Sequence, residues 1–460
     1  MRRGAAILAL ALGVAACRAT RPEEAVPRGW HSLEVGSFSL ITNLRRRELL
    51  DQVCETLRAA DRDLALLLGK GSQPLQVHLE ASELDRASRG RSVAPDVADF
   101  LLPARAHRGS LRAELALPRE EADSQAEIWK EIPLFSSTAA TLVHEAAHLA
   151  AFERLDPESR IPAALHEGFA EWIAERVLAG RDAPAGALQG FLWESAGALR
   201  GGIGSPVEPL EALIQIAPRA TPSPRLATAQ AWLWMRTLAR RQGEAAVIAW
   251  LRAIARGEES NRVFVRTFGD ADANATAVEQ ERAALLRGPW AAGRDVTPLR
   301  GGGILLSPIP GTVAFWFGEA ELTHQGFVAS WRARCLGGAA PELRLEWGRA
   351  EAGGGIRLTI PASGRVALEL VDDRNAPQHG VELDLGSAAA FRIGTERALR
   401  VERLGRTLVV DIDGSQGEFV LPAEAPTAGA LGLSAVGGAF RIDGFTLESD
   451  ARSERARGIR

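Results

Sequence analysis

Tyrosine is absent from this 460-residue chain, only two of its 54 basic residues are lysines (Lys70 and Lys130), and cysteine occurs three times. The first absence removes the phenol as proton donor or oxyanion partner from any chemistry the chain performs. The second leaves arginine to carry nearly all the positive charge. Cys17, Cys54 and Cys335 cannot build a disulfide framework, and the last two read as buried free thiols. No stretch is long and apolar enough to span a membrane as a helix. Neither sign of charge dominates: 54 basic against 58 acidic residues give −4, so no global field for nucleic acid exists and no such partner is expected.

What remains is an ordinary globular composition, 46% apolar and 24% charged with 46 Gly and 24 Pro. It excludes a disordered, collagenous or polytopic membrane chain. The length exceeds one compact core and implies two or three domains.

Arg2 and Arg3 precede an apolar run from Ala5 to Ala16, the layout of a secretory signal over residues 1–16. The segment Val14-Ala15-Ala16-Cys17 resembles the lipobox of bacterial lipoproteins. The resemblance implies lipidation of Cys17 and attachment to a membrane through that lipid. Arg18, where an Asp would signal inner-membrane retention, makes the outer membrane the expected place in the bacterial cell envelope, on its periplasmic or surface side.

Residues 17–29 are polar, with Pro22 and Pro27, and read as a tether. Residues 30–290 form one expected domain. It starts with a strand pair about Gly36, a helix from about Arg45 to Leu68 stopped by Gly69, and alternating strands at Leu75–Leu79 and Leu111–Leu117. From about Glu120 to Arg287 the pattern is nearly all helical, broken by an irregular Gly/Pro-rich stretch from Gly201 to Pro224. Residues 291–302 have linker composition, 303–450 alternate in short strands that predict a β-sandwich, and 451–460 form a polar tail. The expected fold class is α+β multidomain: a small mixed sheet with a helical domain, then an all-β sandwich.

The chemistry concentrates in one helix. In His144-Glu145-Ala146-Ala147-His148 the two imidazoles lie one turn apart on one face, where both can reach one ion. Glu145 is rotated by roughly 100° from His144 and can move a proton beside the ion without ligating it. The flanking residues are apolar nearly all round, which predicts a buried helix whose ionisable groups need partners. A metal is the simplest single partner for the two histidines. In the next helix, Leu165-His166-Glu167-Gly168-Phe169-Ala170-Glu171-Trp172 sets Glu167 and Glu171 on one face. Gly168 costs roughly 1 kcal/mol of helix propensity against Ala, which fits a close approach of these two helices there.

Eighteen residues separate His148 from Glu167. With that spacing and the E-G-F-A-E context, the chain resembles the gluzincin metallopeptidases over roughly residues 30–290, in a form similar to peptidase-MA-like envelope proteins. The resemblance implies a zincin-type catalytic domain and one Zn²⁺ per chain held by His144, His148 and Glu167. It further implies Glu145 as general base, Glu171 hydrogen-bonded to a ligand histidine, and a peptide or protein as substrate. Two positions depart from the family: Ala164 where Trp is common, and Thr228 at the head of Thr228-Ala229-Gln230-Ala231-Trp232, where the family usually has Tyr. Thr228, His166, Arg225 or a backbone N–H are the candidates for the oxyanion side. The alternating segment Ser110–Leu117 is a candidate edge strand for an extended substrate.

The C-terminal part resembles a concanavalin-like, jelly-roll sandwich, on Leu408-Val409-Val410-Asp411-Ile412-Asp413-Gly414 and the closing strands near Gly429 and Phe440. That likeness implies a module for a carbohydrate or protein ligand. It defines the alternative function: a catalytically weak or inactive surface lipoprotein that binds through the sandwich. Trp316, Trp331 and Trp347 are expected in its core rather than as sugar platforms. The scattered His31, His78, His107, His324 and His379 are not expected to hold metal. Asp270, Asp272 and Asn274 read as a capped helix start rather than a calcium loop.

Overall fold

The structure is a computed structural model that describes residues 29–82, 105–118, 136–200, 207–215, 224–292, 296–299, 302–308, 313–322, 326–349, 355–371, 377–386, 389–423, 425–426 and 429–449. The signal segment, Cys17 and the polar tail lie outside the described residues. No helix among those described is long and apolar enough to cross a membrane.

The chain opens with a hairpin of β1 (His31–Val35) and β2 (Phe38–Thr42), turned at Gly36. Gly36 has φ 64°, and a Cβ there would lie 2.2 Å from Asp61 Oδ2, so both backbone and neighbour select glycine. Helix α1 (Arg47–Leu68) buries Leu49, Val53, Leu57, Ala60, Leu64 and Leu68 along one stripe and ends at Gly69. Then come β3 (Leu75–Ser82), β4 (Arg105–His107) and β5 (Arg112–Pro118). The five strands form a mixed sheet in the order β1-β2-β3-β5-β4, with β2, β3 and β5 parallel and the two edges antiparallel. One expectation needs correction here. The Arg108–Leu111 turn, with Leu111 at φ 46°, folds β4 back onto Arg112–Glu114, so β4 holds the edge and β5 is internal there.

Helix α2 (Ser136–Arg154) lies against this sheet, touching α1, β3, β4 and β5. Its Leu142, Val143, Ala146, Ala147, Leu149 and Ala150 are all buried, so it runs through the domain core. On it pack α3 (Ala163–Leu178) and α4 (Ala187–Arg200), and beyond these in turn lie α5 (Leu210–Gln215), α6 (Pro224–Gln242), α7 (Glu244–Ala255), α8 (Ser260–Phe268) and α9 (Ala271–Leu286). Helix α5 falls inside the stretch read as irregular, because Leu210 and Leu213 gain burial there against the helices. Asp270 caps α9, accepting from Asp272 N at 3.0 Å. Gly168 on α3 meets α6: a Cβ would stand 2.7 Å from the backbone C and O of Ala231. Below that crossing, Glu175 accepts from Trp232 Nε1 at 3.0 Å and Arg236 Nε at 2.8 Å.

The C-terminal part is all β. Strands β10 (Gly326–Arg349) and β17 (Gly429–Ser449) pair along nearly their full lengths. Register shifts at Cys335/Gly337 and Gly338/Glu342 bend both strands. The first half of β10 pairs with β14 (Glu396–Leu404) and the second with β11 (Gly355–Pro361). Beyond these lie β12 (Arg365–Val371) and β13 (Pro377–Asp384) on one side, β15 (Thr407–Ile412) and β16 (Ser415–Val420) on the other. Odd-numbered residues of both β10 halves enter one core, Phe327, Ala329, Trp331 and Ala333 with Leu343, Leu345 and Trp347. Trp316, Trp331 and Trp347 are between 2% and 7% exposed, which makes them core residues. Cys54 and Cys335 are free and buried.

Within 291–302, the described residues are largely paired in strands rather than free. β6 (Trp290–Ala292) pairs with β9 (Val313–Leu322), and β7 (Val296–Pro298) pairs with β8 (Ile304–Leu306), which is hydrogen-bonded to β17. Val296 and Thr297 are buried, and β7 also touches α2. Helix α4 seals the junction. Trp193 sits in the sandwich core 6.0 Å from Trp316, and Arg200 lies over the Trp290 ring at 5.0 Å. Gly197 permits this approach, since a Cβ there would lie 1.9 Å from Ala291 O.

Candidate metal centre

Helical spacing on α2 and the packing of α3 across it bring three ligand-type side chains together. His144 Nε2 and His148 Nε2 are 3.0 Å apart. Glu167 places Oε2 3.3 Å from His144 Nε2 and Oε1 3.7 Å from His148 Nε2. Four ligands at about 2.0–2.1 Å around a tetrahedral zinc stand roughly 3.3 Å from one another; the two imidazoles and the Glu167 carboxylate lie at separations of that order, with Oε2 facing His144 and Oε1 facing His148. Among the described residues, His144, His148 and Glu167 are the only group of three such side chains whose ligand atoms converge.

The local electrostatics fit a cation. Burial opposes a charged His144, but the facing carboxylates of Glu171 and Glu167 more than offset it and hold its pKa well above the usual histidine value. Burial likewise pushes Glu167 up, and His148 and His144 outweigh that and hold it well below the carboxylate range. Two imidazoles and a carboxylate that stabilise positive charge here are a donor set suited to zinc. Glu171 Oε1 lies 3.3 Å from His144 Nδ1, an ion-pair distance without the alignment of a full hydrogen bond. Glu145 is on the same helix and only 7% exposed.

The oxyanion candidates fare differently. His166 Nε2 is 2.9 Å from Asp156 Oδ2 and therefore committed. Burial first, then the nearby His148, lowers the His166 pKa to about 4, so its ring is neutral. Arg225 stands 3.9 Å from Glu194 of α4. Thr228 lies one turn before Ala231 on α6, the residue that Gly168 admits. Asp156 was not singled out from the sequence. It has no exposure and accepts from Arg160 N at 2.8 Å and Ile161 N at 3.0 Å. Its only trace in the sequence is an Asp at the head of the Asp156-Pro157-Glu158-Ser159-Arg160 turn.

No protein-family model matches this chain, and no curated protein matches it. Among solved structures, it is similar to the carbohydrate-binding module CBM66 from Bacillus subtilis, at 14% identity and TM-score 0.29, over 35% of this chain and 96% of that one. It is also similar to sheep galectin-11, at 15% identity and TM-score 0.24 over 31% and 100% of the two chains. Chicken galectin 2 is similar at 17% identity and TM-score 0.23 over 28% and 93%.

Proposed function

We propose that the chain is a zinc-dependent metallopeptidase of gluzincin type, held at the bacterial envelope by a lipid on Cys17. The observation that carries this reading is the set of 3.0, 3.3 and 3.7 Å separations among His144 Nε2, His148 Nε2 and the Glu167 carboxylate. These three residues would hold the ion; bound there, zinc supplies Lewis acidity and lowers the pKa of a bound water towards about 7. Glu145 takes the proton released as water attacks the peptide carbonyl and returns it to the leaving amine. Glu171 holds the Nδ1 side of His144, leaving Nε2 for the ion. With His166 committed to Asp156, the oxyanion side falls to Thr228, Arg225 or a backbone N–H. Removing one good oxyanion donor costs about 10²–10³ in rate, so turnover is slow beside an enzyme that has one. Chelator-sensitive cleavage of a peptide mixture, restored by zinc, tests the reading; cleavage indifferent to chelator would refute it.

A second reading assigns a carbohydrate or protein ligand to the sandwich. It is supported by a depression of about 400 Å³ on the sheet face, lined by Ser330, Arg332, Arg400, Asp411 and Asp413 among others. Its mixed donors and acceptors suit a polyhydroxylated ligand. Sugar-array binding by the full chain, weakened at least tenfold in an Arg332→Ala/Arg400→Ala variant, is the expected result. Equal binding by the variant would place any ligand elsewhere.

A further inference from the structure

We propose, resting on the reading of His144, His148 and Glu167 as metal ligands, that Asp156 is a positioning residue for the metal centre. Asp156 sits in the short connection between α2 and α3, the two helices that carry the ligands. A carboxylate with no exposure is costly unless it is fully partnered. Arg160 N–H and Ile161 N–H account for a simple turn. The partners beyond those two reach towards the centre.

One partner is the imidazole of His166, which donates from Nε2 at 2.9 Å. That ring packs 6.1 Å from the His148 ring and 5.3 Å from Phe152, while Phe152 stacks on His148 at 5.8 Å with planes 15° apart. His148 is thus boxed by two rings, and one of the two is fixed by Asp156. His166 also precedes Glu167 in the first turn of α3, so holding its side chain holds the rotation of the turn from which Glu167 projects.

The other partner is Arg108 in the β4–β5 turn. Its Nη2 donates to Asp156 O at 2.6 Å and lies 3.3 Å from Asp156 Oδ2, and its guanidinium covers Phe152 at 4.8 Å. Asp156 therefore ties three elements together: its backbone N–H bonds to Ala151 O at the end of α2, its carboxylate holds His166 at the start of α3, and its carbonyl and carboxylate both meet Arg108 of the edge hairpin. Asp156 touches none of the three ligands, and its effect passes through His166.

The test measures zinc affinity of the full chain from Arg18 by chelator competition, with the absorption spectrum of the cobalt-substituted protein and the metal-free unfolding midpoint beside it. Asp156→Asn is expected to weaken zinc about tenfold and to shift the cobalt spectrum. His166→Phe, which keeps a ring against Phe152 but loses the bond to Asp156, is expected to do the same, and it carries the test if Asp156→Asn does not fold. Unchanged affinity and spectrum in folded variants, with only the midpoint lowered, would reduce Asp156 to a loop anchor and overturn the proposal while leaving the ligand assignment standing. A wild-type chain that binds no zinc would overturn both.

Discussion

Glu145→Gln is expected to leave zinc bound and to lower peptide cleavage by about 10²–10⁴-fold, the usual worth of a positioned general base. Gln keeps the length and much of the shape of the side chain, so packing of the largely buried Glu145 changes little. What it loses is the ability to take a proton. Glu145 stands outside the group of converging ligand atoms, so metal content is the control that separates lost chemistry from a lost site. A parallel loss of both would move Glu145 into the ligand set, and an unchanged rate would remove it from the mechanism.

Trp193→Ala is expected to destabilise the chain by about 3–5 kcal/mol, the range for emptying a buried Trp site. Trp193 belongs to α4 yet lies within the sandwich core beside Trp316. Its loss opens a cavity at the junction rather than inside one domain. The same junction brings β7 against α2, the helix of His144 and His148, so the sandwich buttresses that helix. The measurement is chemical denaturation of wild type and variant. A single wild-type transition that moves to lower denaturant or splits in two fits this coupling; an unchanged midpoint contradicts it.

The helical pair His144/His148 was legible because helix geometry alone puts positions four apart on one face. The E-G-x-A-E context singled out Glu167, but its approach to within 3.3 and 3.7 Å of the two imidazoles depends on how α3 packs on α2, which no local pattern encodes. Gly168 pointed to a close approach of α2 and α3, but the backbone it admits is that of Ala231 on α6. Asp156 escaped notice because a lone Asp before Pro reads as a turn residue, and its burial is created by Arg108 and His166, each distant or on another element.

In the sandwich, alternation marked most strands. Pro341 and the glycines at 337 and 338 have the look of a strand boundary in the sequence, yet they lie inside β10 where it bends, because bends and strand ends carry the same residues. The stretch 291–302 looked like a linker because strands of three residues, such as Val296–Pro298, are too short for periodicity to register. Their burial comes from α4 and β8, which only the folded chain supplies.

The central claim is that His144, His148 and Glu167 hold one zinc ion. Metal content of the soluble chain from Arg18, determined by plasma mass spectrometry beside Glu167→Ala, tests it most directly. About one zinc per chain in the wild type, lost or much weakened in the variant, is the predicted result. No metal in the wild type after zinc loading, or equal zinc in both proteins, would contradict the account.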